Sequence, residues 1–504
     1  MINLAIWLPA VGGLAACLAP RRAVGWISFI FGLAALGIAI AMTVGYESGG
    51  GLQYLVDEKW LPDLGVGYKV GIDGISVFLV LMAAVVWPAA TAWSAIKTPD
   101  RPATWYLLLA IGQSGAIGAF CAQDLLLFVL FFDLMLIPFF FLFGAWGKNP
   151  DQGLGASAAT IKMMVFTLFG SLLMLVAAVA TAFISSEGGS PLTFSISAIT
   201  AHGVQESSQT WLFCFFALAF LVKMPVFPFH GWMRDTYRSA PLPALALFTA
   251  VLSKVGAYGF IRVCLPLFPD ATADLQGVMM ILAVVSIIYG SVMAFSQDNA
   301  RLVAGFSSIA QMGFVLLGIF ALRTDGLDGA VLQMVNHGLV VVPMMLIIAF
   351  LADRVRSDDL SKMGGLAFRA PFLAAIFLVV TMAVLALPGS ANFVGEFYVL
   401  RGAFEVDIAL AVIASLGVAM AGFYALRLYQ LSMHNREVEA DASAEISTGR
   451  GAILGVLVAV IVALALYPQL ILERVDDSAE SQIAAAAKSA GQTPVTEASV
   501  GGRP

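Results

Sequence analysis

Apolar residues come in long runs along almost the whole chain, broken by short polar connectors. The runs fall near 2–20, 24–45, 74–95, 103–121, 124–146, 159–183, 211–231, 242–266, 275–295, 302–322, 329–352, 371–400, 407–430 and 450–472. Each is about 20 residues long, the length a helix needs to cross a ~30 Å hydrocarbon layer. The pattern predicts an all-α polytopic membrane protein with about fourteen transmembrane helices. The first run lacks a basic leader and is followed at once by further spans, so it is expected to stay as a helix. The stretch from Pro371 to Phe404 is too long for one straight crossing and contains Pro388 and Gly389. The run at 211–231 contains Pro225 and Pro228. Proline removes a backbone donor and clashes with the preceding turn. Both segments are therefore expected to be broken helices.

Two interrupted segments in separate halves point to an inverted-repeat transporter with its site near the midplane. The repeats are assigned to helices four to eight and nine to thirteen, each containing one broken helix. The odd-numbered connectors hold the basic residues, among them Arg21, Arg22, Lys97, Arg101, Arg234, Arg238, Arg354, Arg356, Lys362 and Arg369. The even-numbered ones are poorer in base, so the odd connectors are expected on the cytoplasmic side and both termini on the periplasmic side. One membrane domain is expected over 1–477. Residues 478–504 mix small and polar side chains and are expected to form a disordered tail, with a turn or two of helix as the alternative over the alanine-rich part.

Composition strengthens the membrane reading. Hydrophobic residues make up 60% and charged residues 12%, against about 25% charged in soluble domains. The net charge of −6 gives no reason to expect nucleic acid. Cys17, Cys121, Cys214 and Cys264 stand singly in apolar runs, so neither an iron–sulfur site nor a disulfide framework is indicated. No Walker A, HExxH or strand-opening GxGxxG motif occurs, and the glycines of GVGYKVG at 65–71 are wrongly spaced for one. No cofactor, metal or soluble catalytic site is expected on this chain.

The charges inside the runs are the informative residues, because an intramembrane ionisable group is a functional-site hypothesis by default. Lys223 lies just before Pro225, and Lys254 about ten residues into its helix. Asp133 lies about 14 Å along its helix from Asp124, roughly mid-membrane. An Asp133–Lys223 pair that can separate would be a switchable proton site. A permanent pair would only fix helix packing. Glu396 follows the second break. His337 suits a relay by its near-neutral titration, and equally suits a hydrogen-bonded packing role. Lys162 is expected to reach the interface. His230, His202 and His434 are expected to be solvated, and Asp298 with Arg301 to form a surface or helix-start pair.

The stretches VGIDGISVFLVLM at 70–82, FFDLMLIPFFFLFGAWG at 131–147, KMMVFTLFGSLLML at 162–175, VKMPVFPFHGW at 222–232, LSKVGAYGF at 252–260, RLVAGFSSIAQMGF at 301–314, NHGL at 336–339 and LPGSANFVGEFYVLRGAF at 387–404 occur in that order. With them the chain resembles the antiporter-like membrane subunits of respiratory complex I, and among these the M type. The resemblance implies a proton-translocating module of fourteen helices in two inverted repeats. It implies that Lys223 pairs with Asp133, that Lys254 bridges two half-channels, and that Glu396 is the terminal ionisable group. A glutamate there, rather than the lysine usual in the L and N types, points to M. The implied partners are the other membrane subunits, especially the L and N types, within a bacterial inner membrane. NADH, FMN, iron–sulfur clusters and quinone would sit on partner subunits.

Some positions depart from the family's usual pattern. Asp133 stands for a glutamate, Tyr237 and Ser239 for a histidine and a glutamate, and Gln311 for a histidine found in many relatives. Three functions are compatible with these residues: a proton pump of NADH:quinone oxidoreductase, a subunit of a multisubunit sodium/proton antiporter, or a structural spacer of the membrane arm.

Overall fold

A computed structural model describes residues 1–49, 51–150, 153–187, 191–434 and 445–492. Helix occupies every predicted run, as it must where backbone donors and acceptors have no water to pair with. The chain opens with α1 (Ile2–Ala16) and α2 (Val24–Val44), and continues after a polar connector with α3 (Gly74–Ile96) and α4 (Pro102–Cys121). The fifth run is α5 (Leu125–Leu134) and α6 (Leu136–Trp146), parted only at Met135. α7 (Ala156–Ser186) follows, then a short connector helix α8 (Ile196–His202). α9 (Glu206–Lys223) stops inside its run, and α10 (Met233–Ser239) resumes beyond the gap.

The next run is one helix loosened twice. α11 (Leu242–Leu247), α12 (Ser253–Gly259) and α13 (Leu265–Leu267) are joined by π-helical turns at Phe248–Leu252 and Phe260–Cys264. α14 (Pro269–Phe295), α15 (Ala300–Phe320) and α16 (Thr324–Val355) are long, and the last two are buried along nearly their whole length. α17 (Pro371–Val384) and α18 (Ala391–Phe404) flank the second break. α19 (Ile408–Met433), α20 (Thr448–Leu466) and α21 (Gln469–Ser489) complete the described chain. Among the described residues, eleven helices are long and apolar enough to cross a membrane, counting α5–α6 as one and α11–α13 as one.

The connectors gather at two ends. At one end, Lys148 N donates to Ser239 O at 2.7 Å, Ala300 N to Asp358 O at 2.9 Å and Gly365 N to His434 O at 2.9 Å, so odd connectors meet odd connectors. At the other, Gln123 N donates to Lys69 O at 2.9 Å and Phe194 N to Gly65 O at 3.1 Å, so even connectors meet even ones. The start of α1 belongs to the even end, where Tyr68 Oη donates to Asn3 Oδ1 at 3.1 Å.

Two expectations are corrected here. The fold is not purely helical: the 46–73 connector contains an antiparallel hairpin of β1 (Gln53–Leu61) and β2 (Val66–Ile72). The turn uses Pro62 and then Gly65 at φ 69°, a left-handed conformation that glycine adopts without steric cost. The second correction concerns the tail. Residues 478–489 belong to α21, which lies across the even end instead of being disordered. Ile471, Val475, Ala479, Ile483 and Ala487 recur at helical spacing and are buried, and Ser478 Oγ accepts from Gly74 N at 3.1 Å. The alanines that read as low-hydrophobicity tail suit a close helix contact. Residues 493–504 lie outside the described chain.

Candidate functional site

The first break leaves Lys223 as the last residue of α9, a position where helix carbonyls lack intrahelical partners and the helix dipole favours a cation. Its Nζ is 2.5 Å from Phe132 O and 3.2 Å from the Phe132 ring centroid, so a carbonyl and a π face receive the ammonium. Asp133 is the next residue, half-buried, with its Oδ1 accepting from Ser171 Oγ at 2.5 Å. The two charged side chains are therefore neighbours that each point at another group. Pro225 and Pro228 lie in the gap. The loosened backbone is satisfied locally: Phe227 N donates to Ser286 Oγ at 3.0 Å and Trp232 Nε1 to Val222 O at 3.0 Å.

Lys254 follows the first π turn and is fully buried. Single π turns inside α-helices are frequent at functional sites. Here Thr249 O, within the turn, accepts from Lys254 Nζ at 3.1 Å and from Ser253 Oγ at 3.1 Å. The same Nζ lies 3.3 Å from Ser253 Oγ and 2.6 Å from His337 Nδ1, on α16. Two cations cannot share that contact, so a charged lysine requires a neutral imidazole carrying its proton on Nε2. Gly256 lets α12 lie against the end of α9: a methyl there would sit 2.9 Å from Phe220 O and 3.6 Å from Lys223 Cβ. Lys223 and Lys254 thus occupy adjoining turns of two touching helices.

The second break repeats the hydrogen bonds of the first. Met224 N donates to Phe220 O at 2.8 Å, Val226 N to Leu221 O at 3.1 Å and Phe229 N to Val226 O at 2.7 Å. Beyond α17 the bonds are Leu385 N to Thr381 O at 3.1 Å, Leu387 N to Met382 O at 3.2 Å and Ser390 N to Leu387 O at 2.8 Å. Pro388 and Gly389, the latter at φ 95°, lie in this gap. Glu396 sits in the second turn of α18 and is buried. Its Oε1 accepts from Gln311 Nε2 at 2.9 Å and Gln333 Nε2 at 3.4 Å, and Gln333 also donates to Gln311 Oε1. Gln333 is one helical turn before His337, so α16 carries both the imidazole beside Lys254 and an amide beside Glu396.

Several sequence expectations need correction. Lys162 is not among them: it is partly exposed, and its Nζ pairs with Asp235 Oδ2 of α10, at the odd end, at 2.8 Å. Asp298 and Arg301 are not a pair. Arg301 is buried, with Nε 2.8 Å from Asp358 Oδ1 and Nη1 donating to Ala240 O, whereas Asp298 pairs with Arg427 at 2.7 Å. His230 is not solvated: it is partly buried, with Nε2 2.9 Å from Tyr289 Oη. His202 and His434 are exposed. Sequence reasoning misses two features. Gln333 is one, and helical spacing from His337 is its only signal. The other is the buried ion pair of Arg262 with Asp73, joined by Tyr258 Oη, which accepts from Arg262 Nε at 3.0 Å.

Residues 122–422, more than half the chain, match the family described as NADH:quinone oxidoreductase/Mrp antiporter, transmembrane. The chain belongs to this family. It is 34% identical over 472 residues to the NADH-quinone oxidoreductase subunit M of Rhodobacter capsulatus, covering 91% of this chain and 90% of that one. It is 32% identical to the subunit M of Escherichia coli K12, with 93% and 94% covered. A chain of respiratory complex I from Thermus thermophilus with bound NADH superposes with a TM-score of 0.89 at 28% identity, over 96% of this chain and all of that one. A chain of the Mrp complex from Dietzia sp. DQ12-45-1b gives 0.83 at 19% identity, over 96% and 98%, a likeness of fold. Within the family, this membrane-embedded helical chain places Lys223, Lys254, His337 and Glu396 in its interior.

Proposed function

We propose that this chain is the M-type proton-translocating subunit of an NADH:quinone oxidoreductase, coupling redox energy released on partner subunits to proton movement across the bacterial inner membrane. The observation that carries the reading is the 2.6 Å Lys254–His337 contact, flanked by Lys223 and Glu396 on two broken helices. A lysine, an imidazole and a carboxyl can all bind and release protons, and buried charge of this density is costly unless used. A change in the Asp133–Lys223 relation would move a proton from Lys223 towards Lys254, then past His337 towards Glu396 and out. Gln311 and Gln333 hold the carboxyl but do not titrate.

The finer architecture belongs to the same proposal. Fourteen crossings are supported by the eleven long helices together with α1, the α9 break and the α17–α18 break. The repeated hydrogen-bond pattern at the two breaks supports inverted repeats of helices four to eight and nine to thirteen. The basic odd connectors favour a cytoplasmic odd end and periplasmic termini. L- and N-type subunits are the proposed neighbours, with NADH, FMN, iron–sulfur clusters and quinone held by partners.

The test is Lys223→Ala in vesicles carrying the assembled complex. Proton uptake per electron falls; an unchanged ratio defeats the proposal. The Mrp-like fold favours a second reading, a sodium/proton antiporter subunit. Gradient-driven exchange of sodium for protons without NADH, in a complex lacking quinone-reducing subunits, would select it.

A further inference from the structure

Most hydroxyls on α7 are satisfied by their own helix. Thr160, Thr167 and Thr181 donate to the carbonyls four residues back, of Ala156, Met163 and Ala177, at 2.7, 2.8 and 2.7 Å. Ser185 and Ser186 donate three residues back, to Ala182 O and Phe183 O. This is the default for serine and threonine inside a helix with no water to bond. Ser171 departs from it. It is buried, and its Oγ crosses to α5, donating to Asp133 Oδ1 at 2.5 Å. The default acceptor would be Thr167 O, four residues before it.

The backbone brings Lys223 to the same place. Gly170 lets α7 lie against α9: a methyl there would sit 3.0 Å from Ala219 Cα, and Ala219 is one turn before Lys223. Phe132 O, which accepts from Lys223 Nζ at 2.5 Å, belongs to the peptide unit that joins Phe132 to Asp133. The ammonium is thus bound to the backbone beside the carboxylate, near enough for the Asp133 charge to act on it. Yet the groups that receive it, a carbonyl and the Phe132 ring, are neutral. Opposite charges this close attract strongly in a medium of low dielectric, so keeping them apart takes a competing bond. A hydroxyl bonded to a carboxylate is short and charge-assisted, and Ser171 supplies it.

We infer that Ser171 is the latch of the Asp133–Lys223 switch, a positioning residue whose hydroxyl holds the carboxylate off the ammonium. With the latch closed, as observed, Asp133 does not pair with Lys223, and the lysine's proton is free to pass towards Lys254. With the latch open, Ser171 Oγ turns to Thr167 O and Asp133 turns to Lys223, which then keeps its proton. The hydroxyl makes one hydrogen bond in either state, so opening leaves no buried donor unpaired. Turning two short side chains separates the states, so a small shift of α7 against α5 is enough to select one. Ser171 acts through Asp133 and carries no proton along the path itself. The latch rests on the proton-translocation reading above and controls its first step.

The experiment compares Ser171→Ala, Ser171→Thr and Ser171→Val in the whole complex reconstituted into proteoliposomes, with Lys223→Ala marking the floor. Assembly is checked by native gel and NADH oxidation. Ser171→Ala removes the donor, which shifts the carboxylate towards Lys223 by roughly tenfold or more. The proton-to-electron ratio falls towards the Lys223→Ala value. Threonine and valine have the same shape and differ in the hydroxyl, so packing affects them alike. Ser171→Thr keeps a ratio near wild type, and Ser171→Val falls as far as Ser171→Ala. If the branched side chains prevent assembly, Asp133→Asn decides: Ser171→Ala lowers the ratio no further in that background, because no carboxylate is left to hold. Equal ratios in the threonine and valine variants, or the full Ser171→Ala loss repeated on top of Asp133→Asn, overturn the latch alone while Lys223→Ala still lowers the ratio. A normal ratio in Lys223→Ala overturns the reading beneath it.

Discussion

Arg262 and Lys254 lie on the same twice-loosened helix, and both are buried, yet their surroundings are opposite. Arg262 meets a carboxylate: its guanidinium pairs with Asp73 and donates to Tyr258 Oη, while Asp73 Oδ1 also caps α3 by accepting from Ser76 N at 2.9 Å. The charges cancel and the donors and acceptors are engaged. Arginine also cannot release its proton at any ordinary pH. Lys254 meets a carbonyl, a hydroxyl and an imidazole, none of which balances its charge. A lysine so placed can lose its proton with little change in the packing around it. Buried charge by itself therefore does not mark the pathway. What separates the two is whether the neighbours fix the protonation state or leave it free.

The largest effect tests the fixed pair. Arg262→Leu leaves Asp73 buried without its counter-ion, at a cost of about 3–5 kcal/mol. The expected result is a steep fall in assembled complex on native gels and in its thermal midpoint in detergent. Replacing both partners, as Asp73→Ser with Arg262→Leu, keeps a capping oxygen and removes both charges. That double variant should recover much of the loss, since coupled partners are not additive. A double variant as unstable as the sum of the singles would mean that Asp73 and Arg262 do not act as a unit.

Lys254→Met should do the reverse. It removes a charge that no carboxylate balances and keeps most of the side-chain volume. The complex assembles with a thermal midpoint at or above wild type, while proton uptake per electron falls. Assembly loss as deep as in Arg262→Leu would erase the distinction between the two residues.

Much of this contrast is invisible along the chain. The spans are legible because an apolar run of bilayer length is costly to leave in water and fits hydrocarbon as a helix. The breaks are legible because proline has a fixed backbone cost, and the charges because they interrupt those runs. Partner choice is not legible. Asp73 and Arg262, or Lys254 and His337, meet only through the packing of distant helices, and no local pattern encodes it. The amides of Gln311 and Gln333 give no signal either, since a polar amide in an apolar run fits many roles. The resemblance pairs Asp133 with Lys223, yet in the fold the carboxylate accepts from Ser171 while the lysine turns to Phe132 O. The hairpin and α21 escape because connectors and small-residue stretches carry no bilayer-length signal.

A smaller effect is expected where neutral groups support a charge. Gln311→Leu removes the 2.9 Å donor to Glu396. A hydrogen bond to a charged group contributes about 1.5–3 kcal/mol, which corresponds to roughly tenfold or more in the affected equilibrium. Coupled proton uptake should fall, though less than in Glu396→Gln, because Gln333 still reaches the carboxyl at 3.4 Å. The double variant Gln311→Leu with Gln333→Leu should approach the Glu396→Gln level. Full pumping in that double variant would show that the amides only fill space.

The smallest effect is expected at the even end, where Lys69 Nζ pairs with Asp57 Oδ2 at 3.2 Å. The chemistry matches that of Arg262 and Asp73, an acid beside a base, but the Asp57 side chain is 55% exposed, against 6% for Asp73. Water already solvates the carboxylate, salt screens the attraction, and exposed pairs of this kind contribute about 0–1 kcal/mol. Lys69 also keeps a second partner, donating to Ser195 Oγ at 3.0 Å. Asp57→Asn should therefore leave assembly, thermal midpoint and proton uptake close to wild type. Should it destabilise the complex as much as Arg262→Leu does, burial would not be what makes the inner pair costly to break, and the contrast with Lys254 would lose its physical basis.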